Sequence, residues 1–431
     1  MQFIINGGRK LQGEIQLAGA KNAATKMMVA SLLTEEPCVL ENFPLIGDTQ
    51  ITAELCQALG SKVSLRGSVL EIHTPEIINH KVASLSRRNR IPILTLGPLL
   101  SRVGKAEVPI LGGDKIGPRP VDLHLNALIK MGAKIEVSGE SYIASVKDGL
   151  RGALIEMEFP SVGATENIIL AAVLARGKTV IHNAATEPEV IELIKMLQKM
   201  GAIIELGANR LIEIEGVKKL RGVVHRILPD RNEAVSFGCL AVATNGSILV
   251  KEARQQDLIT FLNALRKIGG EYEVTKEGIR FYRERSLTGL KIETDTHPGF
   301  MTDWQQPFVV LLTQSQGESV LHETIYEDRF GYTQDLNLVG AKIKLFSKCL
   351  GDLQCRFKEG VYLHSAIVSG PTPLAGGNFQ VKDLRSGIAH IIAALIANGQ
   401  SAIQGVEEID RGYERIDERL RELGAEIKRI N

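Results

Sequence analysis

One pattern recurs six times along this chain, and no single α/β layer arrangement accommodates that except a fold built from repeats. A helix-like segment ends in an apolar residue and Gly, then gives way to an alternating strand, at Leu59-Gly60, Met131-Gly132, Met200-Gly201, Ile268-Gly269, Val339-Gly340 and Leu423-Gly424. The Gly-to-Gly intervals are 72, 69, 68, 71 and 84 residues. Three residues after each Gly stands Val63, Ile135, Ile204, Tyr272, Ile343 or Ile427, and in five copies the residue two further on is also apolar (Leu65, Val137, Leu206, Val274, Leu345). That period of two belongs to a half-buried strand. The segment before each Gly is amphipathic, as in Val190, Leu193, Ile194 and Leu197, or Tyr413, Ile416, Leu420 and Leu423. Gly there suits a left-handed helix C-cap, the conformation glycine adopts most cheaply.

A second, more apolar helix precedes each of these, near Ala23–Leu33, Ile91–Arg102, Ala164–Arg176, Glu233–Thr244, Trp304–Gln314 and Ser386–Asn398. Five of the six close on Gly104, Gly177, Gly246, Gly317 or Gly399 and continue into a strand such as Thr179-Val180-Ile181. A unit of some 70 residues cannot bury such a helix alone, so three units sharing a core are expected per domain. With 431 residues, the expectation is an α+β protein of two three-unit domains.

Composition narrows the function. The 51 Lys+Arg against 50 Asp+Glu leave a net charge of +1, which argues against a dedicated nucleic-acid or anionic-membrane binder. Met1–Gly8 reads as a short strand and a Gly turn rather than a signal peptide, and apolar stretches such as Ile168–Ala175 are too short to span a bilayer. Cys38, Cys56, Cys239, Cys349 and Cys355 contain no Cys-x-x-Cys, so buried free thiols in a reducing cytoplasm are expected. The nine histidines show no ligand spacing, and no metal or other cofactor is expected.

Charged residues gather where the helices begin. The apolar helices open with Lys21-Asn22, Arg90, Ser161-Val162-Gly163, Asp230-Arg231, Asp303 and Asp383-Leu384-Arg385, and the amphipathic ones after Arg119-Pro120-Val121-Asp122, Arg329 and Asp410-Arg411. Capping alone explains Asp, Asn and Ser. Lys21, Arg90, Arg119, Arg329, Arg385 and Arg411 instead oppose the positive end of a helix dipole, and a shared polyanionic ligand would reconcile them. The stretch Leu111–Pro120 (LGGDKIGPRP) reads as a loop with stiff ends. It has neither the order of a P-loop nor that of a dinucleotide fold. Asp114 in it could be an acid delivered by loop closure, against a purely structural Ω-loop. Asp303, beside the only Trp, reads either as a plain cap or as a base.

Gly19-Ala20-Lys21-Asn22-Ala23-Ala24, Leu96-Gly97-Pro98-Leu99, Gly117–His124 (GPRPVDLH), Leu228-Pro229-Asp230-Arg231 and Ile409–Ile416 (IDRGYERI) resemble the UDP-N-acetylglucosamine enolpyruvyl transferases (1-carboxyvinyltransferases), in order along the whole chain. The resemblance implies two inside-out α/β barrels, each of three βαβαββ repeats, with the active site in the cleft between them. It implies domains 21–228, carrying a mobile loop 111–121, and 1–20 joined to 229–431. The family transfers the enolpyruvyl group of phosphoenolpyruvate to the 3-hydroxyl of UDP-N-acetylglucosamine, releasing phosphate by addition and elimination without a cofactor. This is a cytoplasmic reaction, the first committed step of peptidoglycan synthesis, and so bears on cell-wall biogenesis, cell shape and division. By resemblance, Lys21, Arg119 and Arg411 contact phosphoenolpyruvate and Asn22 the reacting centre. Arg90, Arg119, Pro120, Val121, Asp122, Leu123, Ser161, Val162, Gly163, Asp303 and Ile325 bind the nucleotide sugar, Asp303 also serving as base for its hydroxyl. Arg329, Asp383 and Arg385 line the same site.

Two positions depart from the family pattern. The usual loop Cys, proton donor to the enolpyruvyl methylene, is Asp114 here. A carboxylic acid donates if it is protonated, and anionic substrates crowding it favour that form. Activity with Asp114 as acid is expected, together with insensitivity to the thiol-alkylating epoxide fosfomycin. Phe159 stands where a Lys near the nucleotide is common, which bears on affinity. The alternatives are phosphoshikimate as acceptor, which the 118–124 segment disfavours, and a catalytically silent UDP-sugar-binding paralogue, against which Lys21, Asp303 and Arg411 speak.

Overall fold

Each repeat folds into the same small sheet, and the sheets enclose the apolar helices. In the computed structural model, residues 1–82, 85–87, 89–110, 117, 120–353, 355, 357 and 361–430 are described. Among them the strands form six sheets. In the sheet of Leu154–Glu156, Lys178–His182, Leu211–Glu215 and Ile203–Gly207, the first pair is parallel and the other two are antiparallel. Four further sheets repeat that order of one parallel and two antiparallel pairings. The sixth has three antiparallel strands, with a parallel bridge from Lys81 to Glu107 standing for the fourth.

The contacts divide the chain into two units. One comprises residues 19–110 and 120–228, and the other residues 1–18 and 229–430. Each closes on itself through a strand from far along the sequence. In the first, Val223–Arg226 pairs with Cys38–Glu41. In the second, Gln2–Asn6 lies between Gln400–Gln404 and Glu426–Ile430.

The apolar helices form where they are expected: Lys21–Ala30, Leu96–Val103 and Val162–Ala172 in the first unit, Arg231–Ala243, Gln305–Leu312 and Leu384–Ile396 in the second. They lie inside, as an inside-out barrel requires. Every residue of Arg231–Ala243 is buried, and the three helices of the second unit pack on one another. Each buried Val, Leu or Phe side chain contributes about 1.5–3 kcal/mol. Phe261, Phe300, Phe308 and Trp304 add edge-to-face contacts at centroid distances of 5.2–6.3 Å. The six repeat glycines, Gly60, Gly132, Gly201, Gly269, Gly340 and Gly424, all have positive φ, between 95° and 118°. They end the amphipathic helices as the sequence requires.

Candidate active site

In the second unit Asp303, just before helix Gln305–Leu312, and Asp383 and Arg385, at the start of Leu384–Ile396, meet Arg329 from the segment after strand Gly317–His322, which also carries Ile325. Asp383 is the N-cap of Leu384–Ile396, accepting from the backbone N–H of Arg385 and Ser386 at 2.9 and 3.1 Å. Asp230 caps Arg231–Ala243 in the same way. Asp303 is no cap. It lies within the 3-10 turn Thr302–Trp304, and its side chain is taken by two arginines. Arg329 Nη2 donates to Oδ1 at 2.7 Å, and Arg385 Nε to Oδ2 at 3.1 Å. Both guanidiniums are almost wholly buried, while Asp303 keeps 19% of its side chain exposed. Burial works against the charge of Arg329 and Arg385, but Asp303 together with Glu323, Tyr326 and Asp383 around Arg329, and with Tyr413 and Asp230 around Arg385, outweighs it and raises the pKa of both above the ordinary arginine value.

A buried polar frame holds the arginines in place. Arg329 also donates to Thr302 Oγ1 at 3.2 Å, and Thr302 donates to Glu323 Oε1 and Oε2 at 3.0 and 2.9 Å. Glu323 Oε1 accepts the backbone N–H of Ile325 and Tyr326, so one carboxylate sets the path of that segment. Arg385 Nη1 donates to Tyr413 Oη at 3.3 Å, and Tyr413 lies 2.8 Å from Ser236 Oγ. Burial pushes the Tyr413 phenol up to about 12, so it stays neutral.

In the first unit His124 gathers the Arg90, 120–123 and 161–163 segments. It lies in the first turn of helix Asp122–Lys130. A Cβ on Gly163 would stand 3.2 Å from its imidazole Cε1. Asn167 Nδ2 lies 3.2 Å from its Nδ1 and donates to Ile93 O at the same distance. Burial, helped by the charge of Arg90, pushes the His124 pKa down to about 3. The neutral ring therefore accepts at Nδ1 and carries its proton on Nε2. Ser161 caps helix Val162–Ala172 through Ala164 N. Lys21 Nζ, in the first turn of Lys21–Ala30 with half-buried Asn22 beside it, pairs with Asp48 Oδ2 at 2.8 Å.

The cations therefore need correcting on one point. Lys21, Arg329 and Arg385 each pair with a carboxylate of their own unit, so a ligand is not needed to reconcile their charge with a helix dipole. Arg411 follows helix Val406–Ile409 rather than opening one, and pairs with Glu408 at 3.0 Å. At a helix C-terminus its charge agrees with the dipole. Asp114 and Arg119 lie outside the described residues. Glu323, Thr302, Asp48 and Glu408 left no periodic or motif signal, whereas His124 and Tyr413 stood inside the quoted motifs. The cysteines also need correcting. Cys38, Cys56 and Cys239 are buried thiols whose pKa burial raises, but Cys349 and Cys355 are only partly buried and stand beside two histidines.

The fold and both clusters define an enolpyruvyl transferase scaffold, and the chain belongs to the EPSP synthase (3-phosphoshikimate 1-carboxyvinyltransferase) family, whose model matches residues 5–420. Among curated relatives, the UDP-N-acetylglucosamine 1-carboxyvinyltransferase of Protochlamydia amoebophila is 49% identical over 99% of this chain and 94% of its own length. That of Chlamydia abortus is 49% identical over 98% of this chain and 96% of its own. Among solved structures, the enolpyruvyl transferase NikO from Streptomyces tendae shares the fold at a TM-score of 0.85, with 21% identity over 99% of this chain and 98% of that one. No helix among the described residues is long and apolar enough to cross a membrane.

Proposed function

We propose that this chain transfers the enolpyruvyl group of phosphoenolpyruvate to the 3-hydroxyl of UDP-N-acetylglucosamine and releases phosphate, with Asp114 as proton donor. The reaction is the first committed step of peptidoglycan synthesis, and we assign it to the cytoplasm. The observation that carries the reading is near-full-length identity of about half to relatives named for this reaction, joined to an Asp303 carboxylate oriented by Arg329 and Arg385.

Asp303 accepts the proton of the attacking sugar hydroxyl, and Asp114 gives one to the enolpyruvyl methylene. The phosphoryl-bearing tetrahedral adduct then loses phosphate from one carbon and a proton from the new methyl group, which restores the C=C bond of the enolpyruvyl ether. Lys21, Arg119 and Arg411 stabilise phosphoenolpyruvate and the charge that develops on it, with Asn22 at the reacting centre. Arg90, residues 120–123, Ser161–Gly163 and Ile325 hold the nucleotide sugar, His124 fixing the segments around it. Arg329, Asp383 and Arg385 keep Asp303 in position.

Phosphate release from phosphoenolpyruvate, measured with UDP-N-acetylglucosamine and separately with phosphoshikimate, tests the acceptor. Release with the nucleotide sugar alone is expected. Release with phosphoshikimate alone would reassign the substrate. Saturable UDP-sugar binding without any release would leave a silent binding protein.

A further inference from the structure

Four side chains with metal-binding atoms meet in the second unit, and no spacing along the chain foretells them. His322 ends strand Gly317–His322, and His364 immediately precedes its antiparallel partner Ser365–Gly370. Cys349 and Cys355 come from the connection between Lys342–Phe346 and Ser365–Gly370. One nitrogen from each imidazole and both sulfurs lie within 4.8 Å of one another. Cys349 Sγ is 3.1 Å from Cys355 Sγ and 3.3 Å from His364 Nε2, and Cys355 Sγ is 3.5 Å from the same nitrogen. The sulfurs are well beyond the bonding distance of a disulfide, about 2.05 Å.

The partners of the imidazoles fix which nitrogen is bare. His364 Nδ1 lies 2.9 Å from the carbonyl of Tyr362, which only accepts, so Nδ1 carries the proton and Nε2 turns a lone pair toward the two sulfurs. His322 Nδ1 lies 3.0 Å from Glu293 Oε2. Glu293 also accepts the backbone N–H of Asp352 and Leu353, both at 2.8 Å, so its oxygens face donors. His322 Nδ1 is then the donor of the third such bond. Its Nε2 then offers a lone pair on a wholly buried side chain, with no hydrogen-bond partner among the described residues. Carboxylate–imidazole and carbonyl–imidazole pairs of this kind orient histidines that bind metal. Gly351 brings the connection directly over the Glu293–His322 pair, where a Cβ would collide with both side chains.

We infer that His322, Cys349, Cys355 and His364 form a structural site for one zinc ion. Two thiolates and two imidazoles are the donor set of tetrahedral zinc, and four protein ligands leave no open position for catalysis. Zn–S and Zn–N bond lengths give tetrahedral edges of roughly 3.3–3.8 Å; the spacings among Cys349, Cys355 and His364 lie close to that, and the full set, within 4.8 Å, must draw in by about 1 Å at its widest on binding. Binding releases the two thiol protons to solvent, and both imidazoles enter neutral. The ion ties Cys349 and Cys355 to the end of the strand that leads into Glu323. It thereby stabilises the segment through Ile325 to Arg329.

The test is the metal content of the full chain, purified without chelator and reconstituted with zinc. About one zinc per chain is expected, falling to below about one-tenth in Cys349→Ser and Cys355→Ser. Replacing zinc by Co2+ in the wild type should give the intense visible bands of tetrahedral cobalt and a thiolate-to-cobalt charge-transfer band. That readout needs no variant, so it decides the matter even if a substitution prevents folding. A strong chelator should lower the melting temperature of the wild type. No stoichiometric metal with both thiols freely titratable, or a Cys349–Cys355 disulfide in protein kept reduced, would overturn the inference.

Discussion

Asp303 shows how far a single residue can be read. Its place at the start of a buried helix was visible in sequence, and there it looked equally like a cap. Only the fold reveals that Arg329 and Arg385, 26 and 82 residues away, occupy its two oxygens. Asp303→Asn leaves two buried guanidiniums without their shared carboxylate. Such a loss costs about 3–5 kcal/mol, and removal of the base costs on the order of 10²–10⁴ in kcat. Urea unfolding and phosphate release check the two separately, and an unchanged kcat in folded protein would remove Asp303 from the chemistry.

Glu166 is a second residue that only the fold exposes. It is fully buried, and burial, with Glu189 and Glu187 adding to it and Lys26 opposing, pushes its pKa up to about 7. Between its ordinary value of 4.5 and about 7 the folded chain binds more protons than the unfolded one. Stability therefore falls as pH rises through that window, by roughly 3 kcal/mol, and this contribution is constant above it. Glu166→Gln should abolish that slope and be the more stable protein at pH 8. Parallel pH profiles of the urea midpoint for the two proteins would contradict the assignment.

At the scale of elements, the repeats were legible because each helix must end and each strand must alternate. The six glycines ended helices with positive φ, as their phase requires. Gly246 marks a limit of the same reasoning. The left-handed residue there is Asn245, and the glycine instead lets the chain pass against the carbonyl of Leu11. Two substitutions separate the roles. Gly424→Ala meets open space and should cost only the left-handed penalty, about 1 kcal/mol. Gly246→Ala drives a Cβ into the Leu11 backbone beside the Ser247–Leu11 hydrogen bond, and should cost about 3 kcal/mol or more. Equal urea midpoints for the two variants would contradict this. Arg411 was misplaced because the apolar spacing of Tyr413, Ile416, Leu420 and Leu423 reads as a helix that opens directly after Asp410-Arg411. The chain instead breaks after Ile409, passes through left-handed Arg415, and resumes at Ile416.

For the whole molecule, three repeats to a unit followed from counting, since no single repeat can bury its apolar helix. The strands that close each unit come from distant sequence, Gln2–Asn6 beside Glu426–Ile430 among them, and local periodicity carries no trace of such pairings. His322 and His364 escaped for the same reason, because the pairing of two strands rather than spacing brings them together. The central claim is that this scaffold runs enolpyruvyl transfer with the carboxylic acid of Asp114 as proton donor. The most direct measurement is phosphate release with UDP-N-acetylglucosamine by wild type, Asp114→Ala and Asp114→Cys, each with and without fosfomycin, with intact mass read in parallel. The account predicts an active wild type that fosfomycin neither inhibits nor modifies, a loss on the order of 10²–10⁴ in Asp114→Ala, and an active Asp114→Cys that fosfomycin alkylates and stops. Full activity in Asp114→Ala, or a fosfomycin adduct on the wild-type chain near residue 114, would contradict it.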